Sequence, residues 1–368
     1  MIKIQKTPFF EVLAIFVALY SFLVGINGMS SAIKNMGSDF ANSVITTTSE
    51  PFVALFIGIF ATVLFQSSST TTSLIVGMVS SGALTLNGAV PMIMGANIGT
   101  TVTNTIVSIG HINRGEEFRR AFAASTVHDF FNLLAVFILF PIELRFGMIQ
   151  KSAENIGTAM FGKFLNTEIL QGSSPIKVAI KWGSSLIESF SFGNDILYLV
   201  VSVLITFLML FSIVKLLRRL VLTKIESFFD KFIFKTVLRG FSFGILFTIL
   251  VQSSSITTSL VVPLAGAGIL SLRQIFPYTL GANVGTTFTA LLAALTGTVS
   301  ALIAALSHLI FNLTAILIIY PFPFLRNIPL KLAKSIARAA VRRKYLPLVY
   351  LILIFVLLPL TIIFVLGK

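Results

Sequence analysis

Long runs of apolar residues, separated by short polar stretches, dominate the chain. Each run reaches the length of about 20 residues that an α-helix needs to cross the hydrocarbon layer of a bilayer. The pattern therefore predicts an all-α integral membrane protein. Its apolar helical segments are expected at 9–32, 51–82, 88–109, 118–142, 194–217, 237–270, 275–295, 299–322 and 346–366.

Composition supports a membrane protein. Hydrophobic residues make up 56% of the 368 residues and charged residues only 11%, whereas about a quarter of a soluble domain is charged. The net charge of +14 lies in short clusters beside the apolar runs. Such clusters are typical of cytoplasmic loops and argue against a nucleic-acid partner. The chain has no cysteine, which excludes disulfides and thiolate metal sites.

The basic clusters predict the topology. Residues 215–239 and 326–344 are strongly basic and are expected in the cytoplasm, as is the N-terminus with Lys3 and Lys6. All basic clusters share that side only if 51–82 and 237–270 enter the membrane and return as re-entrant hairpins. About seven spanning helices then remain, and the C-terminus is external. We expect a multi-pass protein of the inner or plasma membrane.

An internal repeat runs through the apolar segments. The sequence Q-S-S-S-T-T-T-S-L at 66–74 returns as Q-S-S-S-I-T-T-S-L at 252–260, and G-A-N-I-G-T-T-V-T at 95–103 returns as G-A-N-V-G-T-T-F-T at 281–289. H-D-F-F-N at 128–132 matches H-L-I-F-N at 308–312. Because the charges give the two copies opposite orientations, the repeat predicts an inverted-topology transporter that works by alternating access.

The repeat and the charges together divide the chain. We expect an N-terminal transmembrane helix and external loop (1–50), a first repeat of a hairpin and two helices (51–142), an external linker (143–195), a transmembrane helix and basic cytoplasmic segment (196–236), an inverted second repeat (237–325), and a basic cytoplasmic segment with a C-terminal transmembrane helix (326–368).

The repeated motifs are neutral but rich in hydroxyl groups, carboxamides and glycine. Residues 51–113 contain no Lys, Arg, Asp or Glu, and residues 240–325 contain only Arg273. A helix that begins after Q-S-S-S offers free N–H groups to an oxyanion, and an unwound G-x-N-x-G-T-T stretch offers oxygen ligands to Na⁺. An anion in such neutral surroundings needs compensating charge. We therefore expect sodium ions to bind together with it.

Three titratable residues lie within the apolar segments. Asp129 is expected to be functional, and with Asn132 it could hold one more cation; an ion pair with an arginine is the alternative. His128 and His308 are expected to form interhelical hydrogen bonds rather than to bind a transition metal.

The motifs closely resemble those of the type II sodium-dependent phosphate cotransporters (solute carrier family 34), and the chain looks like a bacterial member. The resemblance lies in the paired Q-S-S-S and G-A-N-x-G-T-T blocks, V-T-N-T-I-V at 102–107, and the F-R-R-A-F-A and T-V-H-D-F-F-N stretches within 118–132. It implies a sodium-coupled symporter of inorganic phosphate, with Na⁺ as the co-transported ion and electrogenic transport.

The resemblance also implies ligands. Phosphate is expected at Ser67, Ser68, Ser69, Ser253, Ser254 and Ser255, and we add Asn97 and Asn283 to this set. Sodium is expected at Gln252, Ser253, Thr286 and Thr289, at their counterparts Gln66, Ser67, Thr100 and Thr103, and at Asp129 with Asn132.

Other functions fit parts of the pattern. A sodium-coupled carboxylate or amino-acid carrier, or an anion exporter, could share the fold. An intramembrane hydrolase could use a serine with His128 and Asp129, but one nucleophile suffices for hydrolysis and here the serines are duplicated. We therefore predict a protein that is not an enzyme. A homodimer is left open.

Overall fold

A computed structural model of the protein describes residues 8–165, 175–225 and 233–367, and every regular element in these ranges is helical. The prediction of an all-α protein is confirmed. The α-helices are α1 (Pro8–Asn35), α2 (Gly37–Thr48), α3 (Pro51–Phe65), α4 (Ser68–Ser81), α5 (Leu86–Gly99), α6 (Val102–Ile109), α7 (Glu116–Phe146), α8 (Met148–Leu165), α9 (Pro175–Phe190), α10 (Asp195–Ile225), α11 (Val237–Val251), α12 (Ser254–Gly266), α13 (Leu272–Ala294), α14 (Val299–Ile319), α15 (Pro323–Arg342), α16 (Leu346–Ile352) and α17 (Leu358–Leu366).

Five helices of the described residues are long and apolar enough to cross a membrane. They are α1, α7, α10, α14 and the stretch Leu346–Leu366, in which one π-helical turn joins α16 to α17. The sequence predicted two more spanning helices. The first, 88–109, is divided into α5 and α6. The second corresponds to α13, whose 23 residues are made less apolar by the G-A-N-V-G-T-T motif.

Both Q-S-S-S motifs break a helix in the same way. α3 ends at Phe65 and α11 ends at Val251, and the next residues, Gln66 and Gln252, have φ of 52° and 55°, in the left-handed region. The next serine is extended, with φ of −157° at Ser67 and −153° at Ser253, and a new helix begins directly after it. The repeat in the sequence therefore has the same local structure in both copies. The re-entrant path and the inverted orientation of the two copies stay predictions.

Matched glycines bring two pairs of helices into close contact. A β-carbon at Gly95 would overlap the carbonyl oxygen of Leu55, so α5 lies directly against α3. In the second copy, a β-carbon at Gly281 would overlap the carbonyl oxygen of Phe241, so α13 lies directly against α11. The helix before each Q-S-S-S break is thus held at backbone distance by the helix that carries the G-A-N-x-G motif of the same copy.

Regions expected to be loops or linkers are largely helical. The expected loop before Pro51 contains α2, which meets α3 at 99° because the residue before a proline disfavours the helical region. The expected linker 143–195 contains the end of α7, then α8 and α9, and Ser184 of α9 donates to Asn27 of α1. The basic segment 326–344 forms most of α15, which packs against α7. Lys3, Lys6 and residues 226–232 of the other basic segment lie outside the described residues.

Candidate functional site

The first serine of each motif is used to begin a helix. Ser67 Oγ accepts a hydrogen bond from the backbone N–H of Thr70 at 3.2 Å, and Ser253 Oγ accepts from that of Ile256 at 3.3 Å. These are N-cap interactions, and each satisfies one N–H group of the first helical turn. The N–H groups of the next two serines have no intrahelical acceptor by their position.

The second serine of each motif has a free hydroxyl. Ser68 and Ser254 are both 3% exposed, and neither hydroxyl has a hydrogen-bond partner within the part of the chain that the structure describes. Each lies at the first residue of its helix, where the backbone carries partial positive charge. The two copies thus present matched donors for a ligand with negative charge.

The glutamine of each motif connects its break to another helix. Gln252 Nε2 donates to the backbone carbonyl of Ile249 at 2.6 Å, and its Oε1 lies 2.9 Å from Thr289 Oγ1 of α13. In the first copy, Gln66 Nε2 donates to the backbone carbonyl of Val63 at 2.6 Å, and Gln66 Oε1 lies 3.1 Å from Thr103 Oγ1 of α6. The carboxamide thus closes the end of one helix and places its oxygen beside a threonine hydroxyl.

Each motif also touches the opposite copy of the repeat. Thr289 Oγ1 lies 3.5 Å from Ser69 Oγ, so a short chain of polar atoms joins Ser69 to Gln252. Ser255 Oγ lies 3.4 Å from the carbonyl oxygen of Thr100. The structure therefore brings together both serine motifs and the threonine segments that were predicted to bind sodium.

The G-x-N-x-G-T-T stretch, which the glycines would allow to unwind, is helical in the second copy. There α13 continues through the motif, and the Thr286 hydroxyl donates to the Ala282 carbonyl of its own helix at 3.0 Å. In the first copy the Thr100 hydroxyl likewise donates to the Ala96 carbonyl of its own helix, at 3.1 Å. The helix is interrupted there only at Thr100 and Thr101, between α5 and α6. Backbone bonds of this kind are compatible with a helix, so the threonines do not require unwinding.

Asn97 and Asn283 lie in a buried polar layer between the copies. His128 Nε2 contacts Asn283 Oδ1, and Asn283 Nδ2 donates to Asn132 Oδ1 at 2.8 Å. His308 Nε2 lies 3.3 Å from Asn97 Oδ1. Each histidine therefore contacts the asparagine of the other copy, which confirms the interhelical role predicted for both.

The two halves of this polar layer differ in the lengths of their hydrogen bonds. Asn283 is held by a histidine and an asparagine at short range, whereas Asn312 Nδ2 approaches Asn97 Oδ1 only to 3.5 Å. Asn312 Oδ1 is buried and has no partner among the described residues. The polar layer is therefore symmetric in residue types but asymmetric in contacts.

Asp129 is fully buried and faces the last spanning stretch. Its Oδ2 accepts a hydrogen bond from the Tyr350 hydroxyl at 3.0 Å, its Oδ1 has no partner within hydrogen-bond distance among the described residues, and the Thr101 hydroxyl lies near the carboxylate. In those residues it forms no ion pair with an arginine, so the alternative role finds no support. Both polar atoms of the Asn132 amide are directed at Asn97 and Asn283 instead.

The structure adds two residues that sequence reasoning did not single out. Asn104 Oδ1 accepts from Ser259 Oγ at 2.8 Å, and Asn104 Nδ2 donates to Thr258 Oγ1 at 2.8 Å, which connects α6 to α12 across the copies. A carboxamide in an apolar run was the available signal for Asn104. Tyr350 gave no such signal, because its partner Asp129 lies far away in the sequence.

Comparisons with known proteins identify a family and several relatives of the chain. The family model described as Na⁺/Pi-cotransporter matches residues 21–165 and 206–321. The human sodium-dependent phosphate transport protein 2B is 32% identical, over 94% of this chain and 63% of its own length. The rat sodium-dependent phosphate transport protein 2A is 32% identical, over 93% of this chain and 65% of its own length.

The chain therefore spans less than two thirds of the length of these relatives. No solved structure matches it. Because the family model covers most of the chain, including both Q-S-S-S motifs, the protein belongs to the Na⁺/Pi-cotransporter family.

Proposed function

We propose that the protein is a sodium-coupled symporter of inorganic phosphate. The single observation that carries the proposal is the matched pair of helix starts at Ser68 and Ser254, whose hydroxyls are free in the described residues. Relatives over nearly the whole chain are named sodium-dependent phosphate transport proteins. Transporters of this kind are not enzymes, and Na⁺ acts as a co-transported ion rather than as a resident cofactor.

Phosphate would bind between the two serine motifs. The hydroxyl and N–H groups of Ser68, Ser69, Ser254 and Ser255 are the donors, since a tetrahedral oxyanion accepts hydrogen bonds on every side. Ser67 and Ser253 contribute by fixing the helix starts. Asn97 and Asn283 would support the site from the buried polar layer, where their contacts with the histidines set the spacing of the two copies.

Sodium would bind beside the phosphate at two equivalent places. One comprises Gln252, Ser253, Thr286 and Thr289, and the other comprises Gln66, Ser67, Thr100 and Thr103. Carboxamide and hydroxyl oxygens are hard ligands that suit Na⁺, and each glutamine oxygen already lies beside a threonine hydroxyl. Because the motifs contain no lysine, and Arg273 is the only arginine in either region, the cations must enter with the anion.

A further sodium ion would bind at Asp129 and make transport electrogenic. The free carboxylate oxygen of Asp129 supports this assignment. Asn132 Oδ1 accepts one hydrogen bond, from Asn283 Nδ2, and would offer its second lone pair to the ion. With a negative interior, inward movement of net positive charge would let the membrane potential drive uptake.

Uptake into proteoliposomes tests the proposal. Radiolabelled phosphate should accumulate with a sodium gradient and fail to accumulate when choline replaces sodium. Loss of a hydrogen bond to a charged ligand costs about 1.5–3 kcal/mol, so Ser68→Ala and Ser254→Ala should each lower uptake at low phosphate roughly tenfold or more. Ser307→Ala is the matched control, because that hydroxyl bonds only to Ile303 of its own helix.

The same assay separates the alternatives. An excess of unlabelled dicarboxylate or amino acid should leave phosphate uptake unchanged, whereas competition would favour a carrier of those substrates. Equal uptake in choline would contradict sodium coupling. An anion exporter would lose phosphate from preloaded vesicles without any response to sodium.

A further inference from the structure

A basic cavity lies where α7, α12, α13 and α15 meet, and it shares no residue with the candidate substrate site. Its volume is about 380 Å³. Arg119 and Arg120 of α7, Arg273 of α13 and Lys334 of α15 line it, and no acidic residue does. Arg273 is the single charged residue of 240–325, and neither the serine motifs nor the asparagine layer uses it.

The cations of this cavity differ in how far they are neutralised. Arg119 is paired with Glu116, so it contributes little net charge. Arg120 Nε donates to the Gly266 carbonyl at 2.8 Å, which fixes the guanidinium without neutralising it. Arg273 and Lys334 are exposed and have no ion pair within the described parts of the chain. The cavity therefore has a surplus of positive charge.

The beginning of α13 adds to this charge. α13 starts at Leu272, on the wall of the cavity, so its partial positive end lies there. The Ser271 hydroxyl is bonded to Gln274 and closes the helix start. Fixed guanidinium groups and a helix N-terminus together suit a phosphate group.

Apart from Ser271, the rest of the wall is apolar. Ala123, Leu270, Leu272 and Ala337 lie beside the cations, and a free inorganic anion would leave this surface without a partner. α15 is amphipathic, with Ala333 and Ala337 buried and Lys331, Lys334, Arg338 and Arg342 exposed. The basic residues predict that this end of the molecule is cytoplasmic, where anionic lipids concentrate.

We propose that this cavity binds the phosphate headgroup of an acidic glycerophospholipid, with its acyl chains along the apolar wall. The headgroup would contact Arg120, Arg273 and Lys334. The proposal goes beyond the transport reaction and does not depend on which substrate the protein carries.

Lipid retained through purification tests the proposal. The full chain is reconstituted in vesicles of phosphatidylcholine with one fifth phosphatidylglycerol, re-extracted in detergent and analysed by native mass spectrometry. The double variant Arg273→Gln with Lys334→Gln should retain roughly tenfold less phosphatidylglycerol than the unsubstituted protein. The control variant Arg342→Gln with Arg343→Gln removes the same charge from exposed residues outside the cavity and should retain it.

Two outcomes would overturn the proposal. Equal loss in both variants would show general attraction to anionic membranes, and displacement of the lipid by millimolar inorganic phosphate would show a site for the free anion. Arg273→Gln and Lys334→Gln are also measured singly, since each side chain is exposed and its loss should not disturb folding. Size-exclusion profiles establish that each variant is folded, and a folded variant that retains the lipid fully contradicts the assignment of that residue.

Discussion

Adjacent serines in each Q-S-S-S motif have different tasks. The hydroxyl of Ser253 caps a helix, and that of Ser254 is free in the described residues. The left-handed glutamine before them makes this division possible, because it ends one helix and lets the next begin two residues later. A non-glycine residue with positive φ costs free energy. Here the carboxamide of Gln252, bonded at both ends, offsets part of that cost.

Asp129 is expected to determine the charge that moves in each transport cycle. If one net charge crosses per cycle, a potential of 100 mV contributes about 2.3 kcal/mol, or roughly 50-fold in phosphate accumulation. Asp129→Asn keeps an acceptor for Tyr350 but removes the charge. It should abolish the response of uptake to an imposed potential while sodium-dependent uptake continues.

Tyr350→Phe is the companion variant for Asp129. It removes the hydrogen bond to the carboxylate but keeps its charge, so the response to potential should remain while the sodium concentration for half-maximal uptake changes. Potassium and valinomycin impose the membrane potential, and phosphate accumulation measured under these conditions gives both the response to potential and the sodium dependence. A full response in Asp129→Asn would show that this carboxylate does not carry the extra charge.

At the level of elements, the duplicated motifs predicted the helix breaks at Gln66 and Gln252, but not the close packing of α5 on α3 or of α13 on α11. They did not predict that α13 would be continuous while its counterpart is divided into α5 and α6. Local residues are almost identical in the two copies. One local difference follows the motif directly: Asn104 bonds to α12, whereas Ala290 occupies the matching position in the second copy and has no such side chain.

The close contact of α11 with α13 gives a test at this scale. A β-carbon at Gly244 would overlap the Tyr278 carbonyl oxygen, so Gly244→Ala must push the helices apart. Overpacking of this kind typically costs about 1–3 kcal/mol, and the temperature of thermal aggregation should fall. Gly240→Ala is the control on the same helix, because a β-carbon there meets its nearest atom at an ordinary 3.8 Å. Equal stability of the two variants would show that the contact is not tight.

At the scale of the whole molecule, the charge pattern predicts an orientation in the membrane that helix packing alone does not specify. The charge pattern predicts opposite orientations for the two hairpins, and the structure adds that each serine motif contacts the threonine segment of the other copy. A ligand held by both motifs would therefore be held by both halves of the molecule. Any relative movement of the halves would then change access to the site from one side or the other, as alternating access requires.

Opposite orientation can be measured directly, because the chain has no cysteine. α4 ends at Ser81, and the corresponding residue after α12 is Ala267, so these positions mark the far ends of the two hairpins. Neither is fully buried. If the hairpins are inverted, a membrane-impermeant maleimide should label Ser81→Cys from outside intact cells and Ala267→Cys only after permeabilisation. Labelling of both from the same side would mean that the copies are parallel, and two helix starts could then not approach one phosphate from opposite faces.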